Sequence, residues 1–192
     1  WRAAILRIYG ADRTFAVPIL MHCALARLMP WEGIPDLPFE LAVVPRAWYS
    51  ALQLRVVSYA LPALIAVGVL LDAKYPPRNP FTRSIRRLAT PRVIEKLARI
   101  QPEHGGFLEA TPLTAFVAMA LIARFGADQP VASRCLSFLR SGAREDGSWS
   151  IDTDLSVWVT TNALTALESA EALETVDRPA APLPAAVAQV KD

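Results

Sequence analysis

One helix–turn–helix unit occurs twice in the second half of this chain, 42 residues apart, and that repeat limits the possible folds more than any other feature. The first copy covers about residues 91–126 and the second about 131–170. In the first, residues 90–101 have helical spacing, with Pro91 suited to the first turn and Val93, Ile94, Leu97 and Ile100 as an apolar stripe. A polar turn from Gln101 to Phe107 follows, then a helix over 111–125 with Pro112 in its first turn. The second copy repeats the order: a helix over 131–141, a turn from Ala143 to Trp149, and a helix from Asp154 to Ala170. A shift of 42 lays Gly105 on Gly147, Phe107 on Trp149, Leu113 on Leu155 and Phe116 on Trp158. Glycine permits a positive φ where the first helix stops, and the aromatic two positions on covers the start of the next helix. A two-helix unit cannot bury both its faces alone, so the copies must stack. The expected fold is an all-α repeat array, either an open solenoid or a closed α/α barrel, and periodicity does not choose between them.

The first half is helical with more punctuation. Residues 1–30 read as helix–turn–helix, with a turn from Gly10 to Thr14, a second helix over 15–28 and Pro18 in its first turn. The proline-rich segment from Pro30 to Pro38 cannot be a helix interior, and residues 39–50 read as a short helix broken near Pro45. From Val56 to Leu71 runs a stretch of 16 mostly apolar residues. That is short of the roughly 20 needed to span a bilayer, and Pro62 weakens it further. It reads as a buried core helix or as a segment touching a membrane. Residues 75–80 read as an extended linker, and the Pro- and Ala-rich residues 178–192 as a second linker after a domain over 1–177.

Composition narrows the class. With 53% hydrophobic and 20% charged residues, the chain is folded and not disordered. A net charge of +2 carries no field for a nucleic-acid partner, so none is expected. Basic residues are uneven, however: Lys74, Arg78, Arg83, Arg86, Arg87 and Arg92 share one stretch nearly free of acids. From Arg78 to Arg92 this is a solvated surface or a contact with anionic lipid. Cys23 and Cys135 are too few for a disulfide scaffold and fit a reducing compartment. The chain begins at Trp1 and not Met, which suggests a piece of something longer.

At the two turns the sequence resembles the squalene-hopene cyclase family of triterpene cyclases, whose repeated motif sets a glutamine before Gly-x-Trp. Residues 100–107, Ile-Gln-Pro-Glu-His-Gly-Gly-Phe, keep the glutamine as Gln101 and replace the tryptophan with Phe107. The second turn keeps Asp146-Gly147-Ser148-Trp149 and has Arg144 at the glutamine position. Pro30-Trp31-Glu32, followed by Ile34-Pro35 and Leu37-Pro38-Phe39-Glu40, is similar to the family's Pro-Trp and Pro-Pro-Glu segment. The order of parts agrees over residues 8–170. The resemblance implies an incomplete α/α (toroid) barrel binding a linear isoprenoid in an aromatic-lined cavity. It also implies a monotopic, peripheral place on the cytoplasmic side of a membrane. The family's acid is the middle Asp of Asp-x-Asp-Asp. Ile151-Asp152-Thr153-Asp154-Leu155-Ser156 lacks the third carboxylate, so the true motif is expected beyond residue 192.

Asp152 and Asp154 are the catalytic candidates this chain offers. Two close carboxylates in an apolar cavity raise one another's pKa and can hold a proton for acid catalysis. The simpler reading has Asp154 capping the helix that begins at Leu155. By the resemblance, Ala110, Pro112, Phe116 and Trp149 line the cavity, where aromatic faces stabilise a cation without trapping it. The alternative is ordinary packing between helices. Glu109 and Thr111, on the same turn, read as polar lining of that cavity, or more simply as a solvated loop residue and a helix cap. His22, beside Cys23 on an apolar helix, reads as buried and hydrogen-bonded, and His104 as solvated. No metal and no organic cofactor are expected, which argues against the zinc-dependent protein prenyltransferases that share the barrel. Two functions follow: a wall segment of a polyprene cyclase, or a non-catalytic α/α module binding lipid or protein. Nothing in the sequence speaks to oligomeric state.

Overall fold

A computed structural model describes residues 2–9, 12–44, 60–152 and 155–174 of the chain. The described elements are α1 (Arg2–Tyr9), α2 (Arg13–Leu25), two 3-10 turns (Trp31–Gly33 and Phe39–Val43), α3 (Leu61–Lys74), α4 (Pro80–Ile100), α5 (Thr111–Phe125), α6 (Pro130–Ser141) and α7 (Ser156–Glu174). Among the described residues the only β pairing is one isolated bridge, so the all-α expectation holds. The chain divides into two units, 1–153 and 154–192, the first holding α1 to α6 and the second α7.

The core of the first unit forms around α3. Pro62 sits in its first turn, and Ile65 to Leu71 are all buried, as expected of a helix that is apolar on every side. It packs against α2, α4, α5 and the Phe39–Val43 turn. At Gly68 a Cβ would lie 2.8 Å from the Phe39 Cβ, so glycine lets that turn approach the helix. Residues 56–59 of the apolar run lie outside the described residues. Among those described, no helix is long and apolar enough to cross a membrane.

Two helices start earlier than their prolines suggest. Asp12 caps α2 by accepting the Thr14 N–H at 2.8 Å, which leaves Pro18 inside the helix and buried. Asn79 caps α4 in the same way through the Phe81 N–H at 2.9 Å, with Pro80 in the first turn. Pro91 therefore lies in the middle of a 21-residue helix and does not open one. The buried face Arg86, Ala89, Val93 and Leu97 runs on past it, and Pro91 itself points to solvent. Its missing N–H leaves one carbonyl unpaired on the exposed side, where water serves. The helix expected over 39–50 is a 3-10 turn over Phe39–Val43 as far as it is described, and residues 45–50 lie outside the described residues.

His22 is exposed, a correction to its expected burial: α2 turns Leu20, Met21 and Ala24 to the core and His22 away from it. Cys135 on α6 is fully buried, and burial pushes its thiol up to about 12, so it stays protonated and is no nucleophile. Neither cysteine is in a disulfide.

Candidate functional site

The two repeat turns meet. Ala110 and Asp152, which correspond under the 42-residue shift, pair as an antiparallel bridge, and the Thr111 N–H donates to the Ile151 carbonyl at 2.9 Å. That carbonyl does the work expected of a cap. Thr111 is the first residue of α5, whose N-cap is Ala110 without any side-chain bond. Both repeat glycines have left-handed backbones, Gly105 at φ +92° and Gly147 at φ +78°. Leu108 and Glu109 are left-handed too, at φ +54° and +55°, a conformation that costs a non-glycine residue roughly 1–2 kcal/mol. Glu109 is tied down: its carboxylate meets His104 Nε2 at 2.6 Å, while His104 Nδ1 accepts the Gly106 N–H at 3.1 Å. His104 is exposed as expected and Glu109 is half-exposed, and the two are held to each other.

The first turn is clamped to the next helix. Gln101 is buried, and its amide donates to the Gly105 carbonyl at 2.8 Å and to the Val131 carbonyl of α6 at 3.1 Å. Phe107, 2% exposed, is fixed by its N–H donating to the Thr114 hydroxyl at 2.9 Å. The second turn lacks the clamp. The shift that pairs Gly105 with Gly147 puts Ala143 opposite Gln101, which corrects the assignment of Arg144 to that position. Trp149 is 48% exposed and turns its indole N–H back to the Leu139 carbonyl at 2.7 Å. Phe116 is half-buried against the core, and Pro112 is exposed. The structure thus joins Ala110 to Asp152, whereas Asp154 lies outside the described residues.

A second cluster was not foreseen. Arg86, 2% exposed, grips Asp36 with both terminal nitrogens at 2.9 and 2.7 Å and Glu40 through Nε at 3.1 Å. Asp72 lies 3.5 Å from Nη1, and the Phe39 ring centroid is 5.5 Å from the guanidinium carbon. Arg86 is therefore a buried ion-pair centre, not part of a solvated basic surface. Burial opposes its charge, but the bonds and charges of Asp36 and Glu40 outweigh burial and raise its pKa. One signal lay in the sequence: Arg86 stands three, seven and eleven residues before Ala89, Val93 and Leu97 on one helix face. Beside it, Trp31, Ile34, Asp36, Leu71, Tyr75 and Pro77 line a cleft of about 160 Å³, with the Lys74 ammonium 5.9 Å from the Trp31 ring centroid.

Asp72 gains least from this cluster. Burial raises its pKa above the ordinary 3.8, against the lowering effect of Arg86 and with help from the charges of Asp36 and Glu40. A carboxyl whose folded pKa is raised favours the fold when protonated, and that contribution is lost as pH climbs from about 3.8 through the folded value. Asp72→Asn should therefore hold within about 1 kcal/mol of the parent at pH 7, or exceed it, and gain nothing by pH 3. Urea midpoints at the two pH values check this, and a loss above about 2 kcal/mol at pH 7 contradicts it.

Among the described residues no group of three His, Cys, Asp or Glu side chains can hold a metal ion. Comparison with protein-family models, curated proteins and solved structures found no match for this chain.

Proposed function

We propose that this chain is a wall segment of a squalene-hopene-type terpene cyclase, an α/α barrel that holds a linear polyprene while it is protonated and closed into rings. The supporting observation is the bridge between Ala110 and Asp152, which sets corresponding residues of successive repeats side by side. Repeats stacked in register are what the wall of a barrel requires. In this reading Phe116 and Trp149 offer aromatic faces to a carbocation, and Ala110 and Pro112 shape the lip beside them. Asp152 and Asp154 do not complete the acid motif, so the chain contributes wall and the proton comes from a complete Asp-x-Asp-Asp acid. The reaction needs no metal or organic cofactor.

Titration of the 192-residue chain with detergent-solubilised squalene, followed by tryptophan fluorescence, tests the reading. Saturable quenching that weakens in Trp149→Leu is expected, with no cyclic product from the chain alone. A signal that never saturates overturns it, and leaves the non-catalytic repeat module as the better account.

A further inference from the structure

The cleft beside Arg86 is small and one-sided in its chemistry. Its wall comes from the first 3-10 turn, the segment after it, and the C-terminal end of α3 with the residues that follow. At about 160 Å³ it falls below the roughly 300–1,000 Å³ of a site that encloses a whole drug-sized molecule, so it admits one head group. The lining residues bring two aromatic rings, Trp31 and Tyr75, and one carboxylate, Asp36, but no base. Asp36 is fixed by both terminal nitrogens of Arg86, yet its side chain is 64% exposed. An ionised carboxylate offers about four lone-pair sites and Arg86 takes two, so the outer side of Asp36 stays open to a further cation. Glu40 and Asp72 share the same guanidinium, so its charge is met within the cluster. Trp31 already draws a cation, since Lys74 Nζ stands 5.9 Å from its ring centroid.

We infer that this cleft binds the methylated ammonium group of a small organic cation, with Trp31 and Tyr75 receiving its methyls and Asp36 countering its charge. An aromatic face attracts a cation through its quadrupole, and a quaternary ammonium suits it well because the charge is spread over methyl groups. The rest of the wall selects for those methyls. Ile34 and Leu71 are buried and apolar, and a bare ammonium would face them with N–H donors left unpaired. An anion finds no base in the lining and is repelled by Asp36. Lys74 competes for the Trp31 ring from the rim, but it is exposed and can swing into water on its flexible stem. The site needs neither a polyprene cavity nor a proton donor, and so stands or falls apart from the cyclase reading.

Calorimetric titration of the 192-residue chain with choline chloride at constant ionic strength tests this, with the neutral tert-butyl isostere of choline as the comparison. Choline should bind saturably and about fivefold or more tighter than the isostere, which fills the same space without the charge. Trp31→Leu and Tyr75→Leu should each weaken choline by about fivefold. Tyr75 is exposed, so its variant should keep the parent urea midpoint. Lys74→Gln should instead bind choline about threefold tighter, because the ring face is vacated and a like charge is gone. Equal affinity for choline and isostere, no saturable choline binding, parent affinity in Tyr75→Leu, or weaker binding in Lys74→Gln would each overturn the proposal.

Discussion

Arg86→Ala should cost about 3–5 kcal/mol of folding stability, because it strips the counter-charge from Asp36, Glu40 and Asp72 at once. That is a large part of the roughly 5–15 kcal/mol that keeps an ordinary domain folded. Arg86→Lys should fall between the variant and the parent, since an ammonium cannot reproduce the two-pronged grip on Asp36 or the third bond to Glu40. Part of the loss in Arg86→Ala should return in acid, as Asp72 takes up its proton. The neighbouring Arg87→Ala is the control: Arg87 is exposed, and its removal should stay within about 0.5 kcal/mol. Urea denaturation of the four chains measures all of this, and an Arg86→Ala variant as stable as Arg87→Ala refutes the ion-pair account.

The second large effect separates the two repeat copies. At Gly105 a Cβ would stand 2.3 Å from the Arg134 carbonyl oxygen, on a backbone already at φ +92°. Left-handed strain and an overlap with backbone that cannot step aside together predict a loss of about 3 kcal/mol or more for Gly105→Ala. Gly147 has the same handedness, at φ +78°, but nothing within 4 Å of its would-be Cβ. Gly147→Ala should therefore lose only the conformational part, about 1–2 kcal/mol. Thermal or urea unfolding of both variants gives the comparison. Equal losses would mean that α6 does not press on the first turn as described.

These contrasts show what the sequence could and could not carry. The repeat glycines were legible because a left-handed backbone restricts residue type, and both are left-handed. The burial of α3 was legible from its unbroken apolar run. The start of α4 was not, because the prolines before Asn79 suggested a linker and Pro91 offered a second plausible first turn. Asn79-Pro80 is itself a cap followed by a first-turn proline, but only the structure shows which of the two prolines opens the helix. Arg86 could be placed on the buried face by its phase. Its partners could not, since Asp36 and Glu40 lie 50 and 46 residues away, in and beside irregular turns. Likewise, the 42-residue shift related Ala110 to Asp152 but gave no reason for them to touch. The missing clamp is legible at Ala143, four residues before Gly147 as Gln101 is before Gly105.

The bridge between Ala110 and Asp152 has a consequence for how such a chain can be edited. The backbone leaves that point, builds α5 and α6, and returns to it, so the excursion begins and ends at the same place. A segment whose ends already touch can be excised whole, or inserted again, with little added entropy of closure. The natural quantum of change is one complete 42-residue lap. A deletion of one residue inside the lap moves Asp152 off its partner, whereas removal of the whole lap keeps the ends together but takes α5 away from α3.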